Sequence, residues 1–331
     1  MTAQDAKATV WFAMKDALPD RTPVKADVLR RYWISGRAVD VPRLAAGLHI
    51  VATPIGNLGD VTLRALQALA GADLIACEDT RITRKLLDHY GIATPLTPYH
   101  EHNAAKVRPA LLRRLAAGAA IALVSDAGTP LVSDPGFKLV RAAHEAGQVV
   151  TALPGASALL AALTVAGLPT DQFLFAGFLP PKDAARRTRI AELARIPATL
   201  VLFESGPRLA AALADLADGL GGQRAAAVCR ELTKLHEDVR RGDLATLADA
   251  YRGNTPRGEI VIVVAPPPEP QRVSAAETES LLREALARAS LKDAVGEVAD
   301  ATGLPRREVY QRALALAKQT EEAEHGDAAP R

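Results

Sequence analysis

Aromatic residues make up only 4% of this 331-residue chain, too few to lay out the stacking platforms on which single-stranded nucleic acid is held. Cysteine is scarcer still: Cys77 and Cys229 lie far apart, without metal-ligand spacing. Two such thiols fit a reducing compartment, so a cytoplasmic location is expected. Bulk charge is nearly absent, 40 Lys and Arg against 38 Asp and Glu for a formal +2, and identifies no partner. No charged-then-apolar pattern marks the N-terminal residues, so no secretory leader is expected. The one long uncharged stretch, 148–170, is cut by Pro154, Gly155, Gly167 and Pro169 into a strand and a short helix, which argues against a membrane span. Missing too is the GxGxxG dinucleotide fingerprint, since Gly56 and Gly59 have no glycine in the first place, and there is no GxxxxGK(S/T) phosphate loop. NAD and ATP therefore lose ground.

What the chain does have is apolar content, 49%, enough for more than one core in a chain longer than one typical domain. It is organised around IALVSDAGTPLVSDPG, 121–136. Here a short apolar run, read as a buried parallel strand, breaks into a loop of Ser125, Asp126, Ala127, Gly128, Thr129 and Pro130. The same rhythm recurs. An apolar strand, 48–52, leads into Thr53, Pro54 and Gly56; 74–76 leads into Cys77, Glu78, Asp79 and Arg81; 149–153 leads into Pro154, Gly155, Ala156 and Ser157. Helices intervene near 62–70, 80–90, 105–117 and 137–146. The expected fold class is α/β: a doubly wound, mostly parallel sheet over 47–168, then a second α/β domain with a mixed sheet over 169–266. In the second domain, 173–179, 198–204, 225–231 and 259–265 read as strands, and 183–194 and 207–217 as helices. Residues 1–46, with eight Lys and Arg against five Asp, lack a clear period and are expected to be a disordered extension. A Pro-rich linker, 267–274, precedes helices at 275–289, 292–301 and 306–318. The last two are joined by Thr302–Pro305 as in a helix-turn-helix. Residues 320–331 read as a tail.

In open α/β sheets ligands sit beyond the carboxyl ends of the strands. If the strands before Thr53, Ser125 and Ala156 are neighbours, their small-residue loops converge on a crevice suited to a nucleoside-like ligand. Glu78, Asp79 and Arg81 either orient a substrate there or cap a helix. His100 and His102 flank Glu101, but no third ligand is evident; no metal is expected, and a polar substrate loop is the better reading. Lys182, Arg186, Arg187, Arg189 and Arg195 against Asp183 and Glu192 give a helix of charge +3, as do Arg306, Arg307, Arg312 and Lys318 against Glu308. Each is either a solvated face or a set of phosphate contacts.

The ordered set IVATPIGNLGD, ACEDTR, YHEHN, LVSDAGTPLVSDPG, LPGASA, GFLP and CRELTK closely resembles the RsmI family. These are the bacterial ribosomal RNA small subunit methyltransferases I, of the tetrapyrrole (corrin/porphyrin) methylase fold. The resemblance covers about 48–316, leaving 1–46 as a departure. It implies an S-adenosylmethionine-dependent homodimer that methylates the ribose 2′-hydroxyl of cytidine 1402 in 16S rRNA, with the cofactor between two α/β domains. Under it, Ser125, Asp126, Ala127, Gly128 and Thr129 are expected to contact the cofactor, with Thr53, Pro54, Gly56 and Ala156 lining the cleft. His100 or Glu78 would position or deprotonate the hydroxyl, with Arg81 and Lys182 on the adjacent phosphate. Lys182, Arg186, Arg187, Arg306 and Arg307 would hold the RNA backbone of the small ribosomal subunit. A tetrapyrrole methylase of the same fold is the alternative, but it has no need of a terminal helix-turn-helix or basic helices. A relative acting on a modified histidine of a translation factor, or a non-enzymatic nucleic-acid-binding regulator, is less favoured.

Overall fold

The computed structural model describes residues 30–268 and 274–326, with 317–326 as backbone only. Residues 1–29 of the expected extension, 269–273 of the linker and 327–331 of the tail lie outside the described residues.

Residues 30–46 are not a disordered extension. Arg30–Ile34 (β1) and Arg37–Val41 (β2) pair antiparallel, with Ile34 opposite Arg37. Ser35 and Gly36 between them both have positive φ, +49° and +73°, the two-residue turn whose twist matches that of the strands. Tyr32 and Val41 are buried, at 2% and 3% exposure, in the core that holds Leu66 and Leu69. Arg30 and Arg43 both reach Asp73, at 2.9 and 2.6 Å. Each strand buries only one residue fully, Tyr32 and Val41, among arginines and exposed neighbours, so no apolar run marks the hairpin.

The first α/β domain runs Gly47–Val51 (β3), Leu63–Gly71 (α1), Leu74–Cys77 (β4), Thr80–His89 (α2), Leu96–Pro98 (β5), Ala104–Ala116 (α3), Ala120–Val124 (β6), Phe137–Glu145 (α4), Val150–Leu153 (β7) and Ala158–Ala166 (α5). Its sheet is wholly parallel in the order β5-β4-β6-β3-β7. Every residue of β4 and β6 is buried, which is why both read as unbroken apolar runs. The edge strand β5, with Pro98 at its end, is too short to show a period. Helix α5 is apolar nearly all round because its Ala162, Leu163 and Ala166 pack on the second sheet, against Val201, Ala227 and Val263. It ends at Gly167, φ +71°.

The second domain runs Phe173–Phe178 (β8), Asp183–Leu193 (α6), Thr199–Ser205 (β9), Gly206–Leu220 (α7), Ala225–Arg230 (β10), Asp238–Asp243 (β11), Leu244–Tyr251 (α8) and Glu259–Val264 (β12). The sheet order is β11-β10-β12-β9-β8; β8 and β9 are parallel and the other pairs antiparallel. Strand β11 and helix α8 were not expected. DVRRGD carries four charges in six residues and lies half-exposed at the sheet edge, so hydrophobic patterning is silent there.

Residues 267–331 form a separate compact unit. Ala275–Leu286 (α9) starts at a Ser274–Glu277 capping box. Leu291–Thr302 (α10) closes at Gly303, φ +68°. Arg306–Gly326 (α11) continues past the expected start of the tail, because 319–325 contains no breaker before Gly326. Leu282, Val298, Val309 and Ala313 fill this unit's own core. Among the described residues no helix is long and apolar enough to cross a membrane.

Candidate active site

Strands β6, β3 and β7 are neighbours, so the loops after them meet. Thr53 N–H donates to the Gly128 carbonyl at 2.9 Å and Gly128 N–H to that of Thr53 at 3.0 Å. Thr129 Oγ1 donates to the Ala156 carbonyl at 3.1 Å, and Ser125 Oγ to that of Ala127 at 3.1 Å. Gly128 has φ +77°, and a Cβ there would lie 3.2 Å from Ile55 Cγ2. Further along the same loop Leu131 and Ser133 also have positive φ, +74° and +63°. Strain of this kind persists where the surroundings hold it, and it gathers at functional sites.

The cleft these loops share with the second sheet has two chambers. The first, about 420 Å³, runs from Gly128, Thr129 and Ser157 to Phe178, Phe203 and Ser205. Five carboxylates line it, Glu78, Asp126, Asp134, Glu204 and Glu259, and among the described residues no Lys or Arg does. Burial pushes the pKa values of Glu78, Asp126 and Asp134 up, and repulsion from neighbouring carboxylates adds to it. Glu204 is 3% exposed. Its Oε1 accepts from Ser205 N–H at 2.8 Å, while Oε2 has no hydrogen bond among the described residues and pairs with the Arg208 guanidinium 3.3 Å away.

The second chamber, about 410 Å³, lies on the other side of Ile55, Asp126 and Ala127. Thr53, Pro54, Gly56 and Ser125 line it from one side, and Ile82, Thr83 and Lys85 of α2 from another. Lys234 crosses from the second domain, holding Glu231 at 2.8 Å and Glu259 at 2.9 Å. Its stem lies so close to Gly56 that a Cβ there would stand 2.3 Å from Cγ. Glu231 and Thr233, which shape this crossing, both have positive φ.

The structure thus brings Thr53, Pro54, Gly56, Glu78, Ser125, Asp126, Ala127, Gly128 and Thr129 to one cleft. Ala156 contributes its carbonyl to Thr129, and the next residues, Ser157 and Ala158, do the lining. His100 and Lys182 line neither chamber. His100 follows the edge strand β5, its ring set edge-on to His102 with centroids 6.0 Å apart; Lys182 is exposed at the N-cap of α6. Asp79 caps α2, accepting from Arg81 N–H at 2.8 Å. The Arg81 guanidinium beside it holds its pKa down to about 2. Arg81 itself is 87% exposed.

Arg186 is a correction. It is buried, held by Asp215 at 2.6 Å and Asp183 at 3.0 Å, and so it cannot reach a phosphate. Arg187 shares Asp215 from the outside and stays exposed. Arg306 and Arg307 are exposed on the C-terminal unit. Sequence reasoning gave no role to Asp134, Glu204, Glu259 or Lys234. The available signals were carboxylates at the ends of apolar strands and the CRELTK run. Among the described residues no three His, Cys, Asp or Glu converge as a metal-ligand group.

The family described as Tetrapyrrole (Corrin/Porphyrin) Methylases matches residues 47–248, and the RsmI C-terminal HTH domain matches 272–317. Ribosomal RNA small subunit methyltransferase I of Mesorhizobium japonicum is 50% identical over 284 residues, covering 86% of this chain and 96% of the relative. The same-named protein of Erythrobacter litoralis is 53% identical over 273 residues, covering 82% and 96%. Among solved structures, a diphthine synthase aligns with TM-score 0.53 at 17% identity, covering 66% of this chain and 89% of that one, a likeness of fold alone. With about half its residues identical to these relatives across nearly their whole length, the chain belongs to the ribosomal RNA small subunit methyltransferase I family.

Proposed function

We propose that this protein transfers the methyl group of S-adenosylmethionine to the ribose 2′-hydroxyl of cytidine 1402 in 16S rRNA. The observation that carries the reading is the first chamber. Three of its five carboxylates, Glu78, Asp126 and Asp134, have no ion pair among the described residues, which suits a positively charged ligand and disfavours a phosphate-bearing one. Its volume falls in the range of small-molecule sites.

The backbone of Ser125–Thr129 would cradle the cofactor, and Glu78 and Asp134 would balance its charge. The cofactor would supply a methyl group made electrophilic by its sulfonium. The chain's own part is to orient and to exclude water. The Thr53–Gly128 bridge fixes the loop, and Phe178 and Phe203 wall the chamber. Glu78 is the expected carboxylate that lies within this chamber; exposed Arg81, Lys182, Arg187, Arg306 and Arg307 supply cations to the RNA backbone. A homodimer in the cytoplasm is part of the same reading and is checked by sedimentation of the purified protein. A tetrapyrrole acceptor would leave the C-terminal helix-turn-helix unit without a purpose.

The test is methylation of assembled small subunits lacking the modification, with the site mapped by mass spectrometry, beside calorimetry with S-adenosylmethionine. Methyl incorporation at that one ribose is expected. Failure to bind the cofactor, or a label elsewhere, overturns the reading.

A further inference from the structure

We infer that the second chamber is the acceptor-nucleotide subsite, in which Lys85 takes a phosphate. This rests on the methyl-transfer reading above. Two observations converge. Lys85 is exposed at the chamber wall and has no ion pair or hydrogen bond among the described residues, unlike Lys234 opposite it, whose charge is already matched by Glu231 and Glu259. Second, Leu58 and Ile82 are large apolar side chains exposed at the chamber, a surface on which the face of a base can rest.

The two chambers differ in the ligand they suit. The charged groups lining the first are all carboxylates. The second offers an uncommitted cation and an apolar wall. About 410 Å³ holds one flipped-out nucleotide, not a duplex. The chambers share Asp126, whose Oδ1 is fixed by Asp79 N–H at 2.9 Å. Its second oxygen makes no hydrogen bond within the described residues and so can accept one from a ribose hydroxyl at the junction. Asp126 is thereby a positioning group for the acceptor as well as a wall of the cofactor chamber.

The experiment measures two affinities on the full chain. One is for an RNA oligonucleotide of the decoding-region sequence, by anisotropy across a salt series; the other is for S-adenosylhomocysteine, by calorimetry. Lys85→Gln is expected to weaken RNA binding about tenfold and to flatten the salt slope by about one unit. The variant is expected to keep cofactor affinity within about twofold of the unchanged protein. Lys85 is exposed, so its replacement leaves the fold intact. RNA affinity and slope that ignore Lys85→Gln overturn the subsite. A tenfold loss of cofactor affinity with RNA binding intact overturns it too, by placing the cofactor in this chamber. Failure of the unchanged protein to bind any cofactor sinks the methyl-transfer reading instead, and that result is distinguishable from both.

Discussion

Asp215 shows how one residue separates structure from function on the same helix. It holds buried Arg186 on one oxygen and exposed Arg187 on the other. Removing one partner of a buried pair strands the remaining charge, at about 3 kcal/mol or more. Asp215→Asn and Arg186→Gln should therefore lower the melting temperature with no change in the salt dependence of RNA binding. Arg187→Gln should do the reverse, moving the salt slope by about one unit and the melting temperature little. Titration across a salt series, paired with thermal scans, checks all three. The acidic chamber makes a second prediction. Glu78 and Asp134 have pKa values raised by burial, so folding holds their protons more tightly than the unfolded chain does. Their charged forms weaken the fold, and stability falls as pH rises through the raised values. Asp134→Asn should raise the melting temperature at neutral pH and weaken cofactor binding. A variant that is less stable and binds as before would contradict the role given to the cluster. At Gly128, positive φ and Ile55 leave no room for a branched side chain. Gly128→Val should abolish cofactor binding in a protein that still folds, as calorimetry and circular dichroism together would show.

At the scale of elements, the hairpin of β1 and β2 hangs on Asp73. The Arg43 guanidinium, foremost, and Arg30 hold the Asp73 pKa down to about 2 from 3.8. A depressed carboxylate stabilises above its unfolded pKa and loses that contribution as pH falls through the folded one. The hairpin's tether should thus weaken between about pH 4 and pH 2. Asp73→Asn should cost about 2 kcal/mol at neutral pH, and Tyr32→Ala about 3 kcal/mol through the cavity it leaves. Urea titration of each variant measures these. The hairpin also marks where the sequence could be read and where it could not. β4 and β6 were legible because a strand buried on both faces must be apolar throughout. The loops after β3, β6 and β7 were legible because glycine and proline announce a change of backbone. β1, β2 and β11 were not, since half-exposed strands rich in arginine show no apolar run. Of the site, the half built from the first sheet could be read at its strand ends. The half contributed by Glu204, Glu259 and Lys234 depends on antiparallel pairing between distant strands, which no local pattern encodes. Arg186 misled for a related reason: a charge run shows the sign of a helix, not which member turns inward.

At the scale of the whole molecule, every residue lining the two chambers belongs to the 1–266 unit, while Arg306 and Arg307 belong to the other. A chain ending at Pro266 should keep its cofactor affinity and lose a large part of its RNA affinity. Calorimetry and anisotropy on that truncated chain decide the matter. Equal loss of both would mean that the C-terminal unit supports the cleft itself. The carboxylates of the first chamber bear finally on release rather than capture. A methyl donor enters as a sulfonium cation and leaves as a neutral thioether, so each turnover removes the charge that the cluster attracts. If the first chamber takes the cofactor as proposed, spent cofactor should be held less tightly than fresh, which eases product inhibition. Added salt screens that attraction and should narrow the gap between the two affinities, making the enzyme more prone to stall on its own product as ionic strength rises.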